Sequence, residues 1–259
     1  MLVPDSSLVA SIQASPNHGE RRGKSLDMIV LHYTGMPDGA TALQRLCDPA
    51  SAVSAHYFVN EDGRIVQCVA EVRRAWHAGE SFWAGESDIN SRSIGIEIVN
   101  PGHDFGYRDY PSAQVESVIA LCRDIVARHA IHAHRILAHS DVAASRKRDP
   151  GEKFPWAKLN AAGVGHWVHP LTPDETMIVR ADSAAVRALQ EQLATYGYGI
   201  PCSGIYDEKT VATVTAFQRH FRPARVDGLA DLSTRATLRD LLAARDHAFG
   251  GKQDLNDDA

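Results

Sequence analysis

The stretch DMIVLHYT at residues 27–34 decides the fold class of this 259-residue chain. Its short apolar run, rich in β-forming residues, is typical of a buried strand. Two further stretches resemble it. SIGIEIVN at residues 93–100 alternates in polarity as a strand does, and RILA at residues 135–138 is a shorter candidate. The sequence therefore predicts a sheet built from segments that are far apart along the chain.

Segments with helical periodicity separate these strands. The spacing predicts a helix over 39–47, and the clearest helix spans 112–129, where apolar residues recur at i, i+3 and i+4. Two β-rich runs, 55–60 and 64–69, flank an Asp-Gly turn and predict a hairpin. Strands that alternate with helices indicate an α/β or α+β core up to about residue 160.

Composition and periodicity divide the chain into five parts. They are an irregular lead-in at 1–26, a first domain at 27–160, a Gly- and Pro-containing linker at 161–178, a second domain at 179–247 and a disordered tail at 248–259. The second domain contains three predicted helices at 183–196, 208–221 and 232–245. Asp182, Asp207 and Asp231 precede them as N-caps. A three-helix domain of about 65 residues can fold alone.

The composition excludes several classes of function. The chain has 27 basic and 32 acidic residues, a net charge of −5, and its longest basic cluster is Arg146-Lys147-Arg148, so a nucleic-acid partner is not expected. No segment approaches the roughly 18 apolar residues that span a bilayer, which predicts no transmembrane segment. The four cysteines form no CxxC motif and are expected to be free thiols.

Two histidines and one aspartate suggest a metal site. His32 closes the first strand, His139 follows the RILA strand directly, and Asp149 lies ten residues further on. Two imidazoles and one carboxylate, with a fourth position left to water, form a catalytic zinc set that lowers the pKa of bound water toward ~7. On spacing alone, a structural histidine at a strand end is the alternative.

Six blocks in a fixed order resemble the zinc-dependent N-acetylmuramoyl-L-alanine amidases of the type 2 family, which are related to the peptidoglycan recognition proteins. The blocks are VLHYT at 30–34, SAHYF at 54–58, RAWHAG at 74–79, SIGIEIVN at 93–100, AHSD at 138–141 and KRDPG at 147–151. The resemblance implies a bacterial enzyme with a mixed central β-sheet flanked by helices, followed by a small C-terminal three-helix domain.

The resemblance also implies the roles of the site residues. His32, His139 and Asp149 match the ligands of Zn²⁺, Glu97 matches the acid/base carboxylate, and Lys147 matches the cation that stabilises the tetrahedral oxyanion. The scissile bond is the amide between the lactyl group of N-acetylmuramic acid and L-Ala of the stem peptide. Alternation places Glu97 on the face opposite to that of its isoleucine neighbours. A solvent-exposed strand residue is the alternative for Glu97, and a loop charge is the alternative for Lys147.

A second group of residues is expected to line a groove for sugar and peptide. These candidates are Tyr57, Arg74, Trp76, His77, Trp83 and Asn90. Trp83 would offer a stacking face to a sugar ring, and Arg74 would suit the free carboxylates of a stem peptide. Packing roles for the two tryptophans are the alternative.

The second domain resembles the small three-helix peptidoglycan-binding domain. The resemblance includes the stretches VRALQ at 186–190, SGIYD at 203–207 and VDG at 226–228. It implies a tether to polymeric wall, which raises the effective concentration of substrate. A helical appendage that only packs on the catalytic domain is the alternative. For the whole chain, a peptidoglycan-binding protein without turnover is the alternative to the amidase.

The expected partner is peptidoglycan or a muropeptide, and the oligomeric state is left open. The substrate favours the bacterial cell envelope, in the periplasm, as the location. The polar N-terminus, which Pro4 and Pro16 interrupt, does not have the pattern of a secretory signal, and this favours the cytoplasm. The sequence leaves both locations open.

Overall fold

A six-stranded sheet lies at the centre of the computed structural model, which describes residues 2–172 and 182–250. The strands are β1 (Val9–Ile12), β2 (His18–Glu20), β3 (Met28–Tyr33), β4 (Tyr57–Val59), β5 (Ile65–Gln67), β6 (Arg73–Ala75), β7 (Ser93–Ile98) and β8 (Ile136–Ala138). The central sheet has the order β1-β5-β4-β7-β3-β8, and only the β4–β5 hairpin is antiparallel. Strands β2 and β6 form a separate antiparallel pair. The mixed central sheet and the hairpin are confirmed.

Eight α-helices occur in the described residues; the five longest follow the predicted periodicity, and the three shorter ones were not predicted. They are α1 (Gly39–Cys47), α2 (Ile89–Arg92), α3 (Ser112–His129), α4 (His139–Val142), α5 (Trp156–Ala161), α6 (Ser183–Tyr196), α7 (Glu208–Phe221) and α8 (Leu232–Gly250). The side chains of Asp182, Asp207 and Asp231 each accept a backbone N–H of the following turn, as N-caps do. The predicted α/β class with three C-terminal helices is confirmed.

The predicted boundaries differ from the structure at both ends of the chain. The lead-in contains β1 and β2, because their short backbones pair with β5 and β6, which lie far away in sequence. Helix α8 continues beyond residue 245 to Gly250, since ARDHAF carries no helix-breaking residue. Part of the predicted linker, residues 173–178, and most of the predicted tail, residues 251–259, lie outside the described residues.

The two faces of the central sheet pack against different parts of the chain. One face buries alternate strand residues against α3, and it includes Ile29, Leu31, Ile94, Ile96, Ile98, Val118, Cys122 and Ile125. The other face buries the intervening residues against the C-terminal helices, and it includes Met28, Val30, Leu137, Leu189, Leu193, Tyr198, Phe217 and Phe221. The three-helix domain therefore shares an apolar core with the sheet. This shared core is possible because the pleat of β3 supplies apolar side chains to both faces.

Two predictions about composition can be compared directly with the structure. All four cysteines are free, and Cys68 and Cys122 are buried. Among the described residues, no helix combines the length and apolar character that crossing a bilayer would require.

Candidate active site and metal centre

A cavity of about 510 Å³ opens at the carboxyl ends of the parallel strands, where α/β sheets commonly bind ligands. His32 is the penultimate residue of β3, Glu97 is the penultimate residue of β7, and His139 directly follows β8. The register pairs His32 with Glu97, so both side chains leave the same face of the sheet. Asp149 and Lys147 reach the cavity from the loop after α4.

Three donor atoms of the predicted metal set converge in this cavity. His32 Nδ1 lies 2.9 Å from His139 Nδ1 and 3.0 Å from Asp149 Oδ2, and His139 Nδ1 lies 2.9 Å from Asp149 Oδ2. All three side chains are buried, with exposed fractions of 1%, 3% and 6% in chain order. Among the described residues, this is the one cluster of three such side chains whose donor atoms lie within 4.8 Å of one another.

The partner of His139 defines its tautomer. Its Nε2 lies 3.0 Å from the carbonyl oxygen of Ala78, which can only accept a hydrogen bond. Nε2 of His139 therefore carries a proton, and the neutral ring presents a lone pair at Nδ1. That lone pair faces the acceptor-only carboxylate of Asp149. Two lone pairs at 2.9 Å need a cation between them, so the donor set fits a bound metal ion.

A chain of hydrogen bonds defines the tautomer of His32 in the same way. Ser93 Oγ donates to the carbonyl of Ile89 at 2.7 Å, so it accepts from His77 Nε2 at 3.1 Å. His77 Nδ1 is then unprotonated and accepts from His32 Nε2 at 3.0 Å. The lone pair of His32 therefore lies at Nδ1, directed at His139 and Asp149. The sequence pattern does not predict this role of His77, because the side chains of Ser93 and His77 meet only in the folded chain.

Burial and nearby charge keep His32 and His77 neutral. Burial, together with the charge of neighbouring His139, lowers the pKa of His32 to about 4. Burial and the charge of His32 hold the pKa of His77 well below its ordinary value. Burial alone would raise the pKa of Asp149, but the charge of His139 and hydrogen bonds with both histidines hold it well below the usual range. His32 is therefore a neutral imidazole and Asp149 a carboxylate, the protonation states that metal ligands need.

Glu97 lies in the cavity wall beside the candidate ligands. Its Oε2 is buried and has no hydrogen-bond partner among the described residues. Burial, reinforced by the negative charge of Asp149, raises the pKa of Glu97 well above its ordinary value, and Lys147 partly opposes this shift. The isoleucines on either side of it, Ile96 and Ile98, pack toward α3. The predicted orientation of Glu97, away from those isoleucines, is confirmed.

The predicted groove residues divide into two groups. Trp76 and His77 line the cavity. The expectation of a groove position is wrong for Trp83 and Tyr57, which are both 0% exposed. Trp83 packs edge-on against Tyr198, 4.9 Å away between ring centroids, because the helical domain covers it. Tyr57 instead donates to the carboxylate of Glu71.

Arg74 and Asn90 also lie outside the cavity lining. Arg74 forms an ion pair with Asp88 at 2.8 Å. Asn90 Oδ1 accepts the backbone N–H groups of His77 and Ala78, and so holds the segment that carries His77. Both side chains satisfy groups of neighbouring loops, which the sequence pattern alone does not reveal.

Several residues of the lining were not predicted. They include Tyr33, Thr34, Met36, Arg45, Ser54, Asp104, Arg146 and Arg148. Arg146 and Arg148 flank Lys147 in the longest basic cluster of the sequence, which was a usable signal. Asp104 lies in a loop without periodicity and reaches the cavity beside Arg148, with which it pairs at 2.5 Å.

These features define a hydrolase-type site with a candidate metal centre at the carboxyl edge of the sheet. A family model described as N-acetylmuramoyl-L-alanine amidase matches residues 22–152, and one for a peptidoglycan binding domain matches residues 182–238. N-acetylmuramoyl-L-alanine amidase AmiD of Escherichia coli is 35% identical over 93% of this chain and 96% of its own length. The chain therefore belongs to the N-acetylmuramoyl-L-alanine amidase family.

Solved structures agree with this assignment. AmiD of E. coli in complex with the substrate anhydro-N-acetylmuramic acid-L-Ala-D-γ-Glu-L-Lys is 34% identical, with a TM-score of 0.72 over 90% of this chain and 93% of that chain. AmpDh3 of Pseudomonas aeruginosa in complex with anhydromuramic pentapeptide is 32% identical, with a TM-score of 0.73 over 95% of this chain and 99% of that chain. The chain is an amide hydrolase of peptidoglycan turnover, and the interpretation as a binding protein without turnover is not supported.

Proposed function

We propose that this amidase uses Zn²⁺ held by His32, His139 and Asp149, with Glu97 as the acid/base group and Lys147 as the oxyanion partner. One observation carries the proposal. Two imidazole nitrogens and one carboxylate oxygen converge to about 3 Å, an arrangement that fits a bound cation. Three protein ligands of this type, with a position left for water, are typical of catalytic zinc.

The bound Zn²⁺ would supply a Lewis acid that polarises the amide carbonyl and lowers the pKa of a coordinated water. The remaining chemistry belongs to the protein. Glu97 binds a proton more readily than an ordinary glutamate because burial raises its pKa. It is therefore suited to accept a proton from the attacking water and to return it to the departing amine nitrogen, a contribution of about 10²–10⁴-fold.

Lys147 is placed to stabilise the negative charge that develops on the substrate during the reaction. Attack on the amide carbonyl places negative charge on its oxygen, and a preorganised cation stabilises that charge. Lys147 lines the cavity and is close enough to affect the pKa of Glu97. Arg146 holds its own position by donating to the carbonyls of Ala78 and Glu80, each at 2.7 Å.

The substrate follows from the relatives and from the domain arrangement. The structures of AmiD and AmpDh3 hold anhydromuramic peptides, and we propose that this chain cleaves the same class of muropeptide between the lactyl group and L-Ala. We assign catalysis to residues 27–160 and binding of polymeric wall to residues 179–247, which include the span that matches a peptidoglycan binding domain. A wall substrate would place the enzyme in the periplasm.

The experiment is a product assay by mass spectrometry on intact sacculi and on soluble anhydro-muropeptides. Wild type should release free stem peptides, and a chelator should stop the release. His139→Ala should lower the rate by more than about 10³-fold, because it removes a ligand of the metal that supplies several kcal/mol. His169→Ala is the matched control, since His169 is exposed and does not line the cavity.

The outcomes separate the parts of the proposal. A His139→Ala variant with wild-type rate would reject the ligand assignment. Chelator-resistant release would reject the metal. A faster rate on soluble muropeptides than on sacculi would assign the enzyme to recycling, and the reverse order would assign it to the wall.

A further inference from the structure

A buried carboxylate that the catalytic assignment does not use lies two residues after His139. Asp141 belongs to α4, the short helix that begins with His139, and is 2% exposed. Its Oδ2 accepts the backbone N–H of Ala138 at 2.8 Å. The same carboxylate accepts Tyr198 Oη at 2.6 Å and His220 Nδ1 at 2.6 Å. Asp141 thus joins the turn of a candidate metal ligand to the helical domain.

The buried carboxylate of Asp141 depends on its hydrogen-bond donors for stability. A carboxylate taken out of water is costly unless hydrogen bonds or charge replace its hydration. Of the three donors that replace it here, the Tyr198 hydroxyl and the His220 ring come from the C-terminal domain. Hydrogen bonds to a charged acceptor are about twice as strong as those between neutral groups. The conformation of the 138–142 turn therefore depends on groups about 60 to 80 residues away in sequence.

Helix α7 also reaches the segment that carries the other loop ligand. Arg219, the neighbour of His220, lies 3.8 Å from Glu152, which is three residues after Asp149. The His220 ring stacks on Trp156 with 3.7 Å between centroids. One turn of α7 thus contacts the chain just after His139 and just after Asp149. These two ligands come from a four-residue helix and a loop.

We propose that Tyr198 and His220 are positioning residues of the metal centre, so that the helical domain holds the His139 turn in its metal-binding geometry. This inference rests on the proposed function, because it requires that the site binds a divalent metal. Neither residue lines the cavity. Both act through Asp141 and the backbone of α4. The domain would therefore support the catalytic centre as well as bind wall polymer.

The test compares two tyrosine hydroxyls of the same domain in the full-length protein. Tyr198→Phe removes the donor to Asp141, while Tyr206→Phe removes a donor to the carbonyl of Gly228, within the helical domain. Zn²⁺ affinity is measured by competition with a chromogenic chelator. Tyr198→Phe should weaken Zn²⁺ binding about tenfold, the lower end of the range for groups that support metal ligands. Tyr206→Phe should leave it within about twofold of wild type.

Substitutions of His220 test whether a replacement hydrogen-bond donor restores Zn²⁺ affinity. His220→Ala should weaken Zn²⁺ binding as Tyr198→Phe does, and His220→Asn should restore most of the affinity because its amide N–H replaces Nδ1–H. Excess Zn²⁺ should return the kcat of Tyr198→Phe toward that of wild type, which loss of stability alone would not produce. If His220→Ala does not fold, the tyrosine pair decides.

Two results would be decisive against the idea. If wild type binds Zn²⁺ tightly and Tyr198→Phe binds it equally well, the positioning role is rejected while the metal site stands. If wild type does not bind Zn²⁺ at all, the proposed function itself fails. Thermal unfolding of the metal-free variants shows whether a variant that binds Zn²⁺ more weakly is also unfolded. If unfolding fully explains the loss of Zn²⁺ affinity, the positioning role is also rejected.

Discussion

Two buried carboxylates anchor the opposite sides of the central sheet, and their partners differ in origin. Glu71 accepts the hydroxyl of Tyr57 at 2.5 Å and His129 Nε2 at 2.6 Å, and it pairs with Arg128. Asp141 likewise accepts one tyrosine hydroxyl and one histidine nitrogen, from Tyr198 and His220. The partners of Glu71 all lie in the catalytic domain. Two of the three partners of Asp141 lie in the helical domain.

The apolar packing shows the same difference. The face toward α3 is closed by a helix of the same domain, so it is complete without the C-terminal region. The face that carries Met28 and Val30 is closed by α6 and α7, and it continues along the strands into the catalytic cavity. The face that packs against α3 therefore contributes to the stability of the fold alone. The other couples the catalytic centre to the domain that resembles a wall-binding module.

The largest expected effect comes from deleting residues 173–259. The deletion uncovers Met28, Val30, Trp83 and Leu137, which are all fully or almost fully buried. Each contributes about 1.5–3 kcal/mol of burial, and together they match the whole stability of an ordinary domain, about 5–15 kcal/mol. We expect a protein without a cooperative unfolding transition. A truncated protein that melts cooperatively and hydrolyses muropeptides at the wild-type rate would show that the two domains are independent.

Substitutions in adjacent residues of β3 sharpen the comparison. Leu31 faces α3, and Val30 faces the helical domain. Leu31→Ala should lower the free energy of unfolding by about 2–5 kcal/mol. Val30→Ala should lower it by about 2 kcal/mol, since it removes less apolar surface. Urea unfolding of the two variants measures both values.

The two β3 variants should also differ in which part of the chain becomes more accessible to protease. Val30→Ala should increase protease cleavage between residues 160 and 182, because it loosens the helical domain. Leu31→Ala should not increase that cleavage under native conditions. Equal cleavage of both variants would contradict the division into two faces.

The smallest expected effect is a dependence of stability on pH. Burial alone would raise the pKa of Glu71, but hydrogen bonds from Arg128, Tyr57 and His129 lower it from 4.5 to about 2. Because the folded-state pKa lies below the ordinary value, ionised Glu71 stabilises the fold above pH 4.5. This stabilisation is lost as the pH falls from 4.5 toward 2.

Glu71→Gln isolates this contribution. The difference in unfolding free energy between wild type and the variant should shrink by about 1–2 kcal/mol between pH 6 and pH 3, allowing for solvent around Arg128. Asp124→Asn is the matched control, because Asp124 pairs with the same arginine but is about one-third exposed. A difference that stays constant with pH would show that Glu71 gains no stabilisation from its ionised form.

Local pattern was sufficient for most of the secondary structure. The helices over 39–47, 112–129, 183–196 and 208–221 have the predicted bounds, because their periodicity and caps are encoded within each segment. The ligand candidates His32, His139 and Asp149 follow from the ordered blocks that resemble the amidase family. Strand alternation also predicts the direction of Glu97. The helix bounds and the direction of Glu97 could be predicted because they depend on residues near one another in sequence.

Contacts between distant segments could not be predicted from the sequence. Trp83 is an aromatic residue of the type that stacks on sugar rings, but in the folded chain it packs against Tyr198. The relay from Ser93 through His77 to His32 depends on distances that form only when three segments meet. Strands β1 and β2 carry weak local signals and exist because partner strands satisfy their backbone groups.

The sequence by itself determined five strands of the central sheet (β3, β4, β5, β7 and β8), the main helices and the chemical types of the candidate ligands. Only the tertiary structure decided which nitrogen of each histidine faces the ligand cluster, and that the helical domain closes one face of the sheet. The physical reason is the range of the interactions. Periodicity and capping act over a few residues, whereas a buried charge such as Asp141 requires donors from wherever the folded chain brings them.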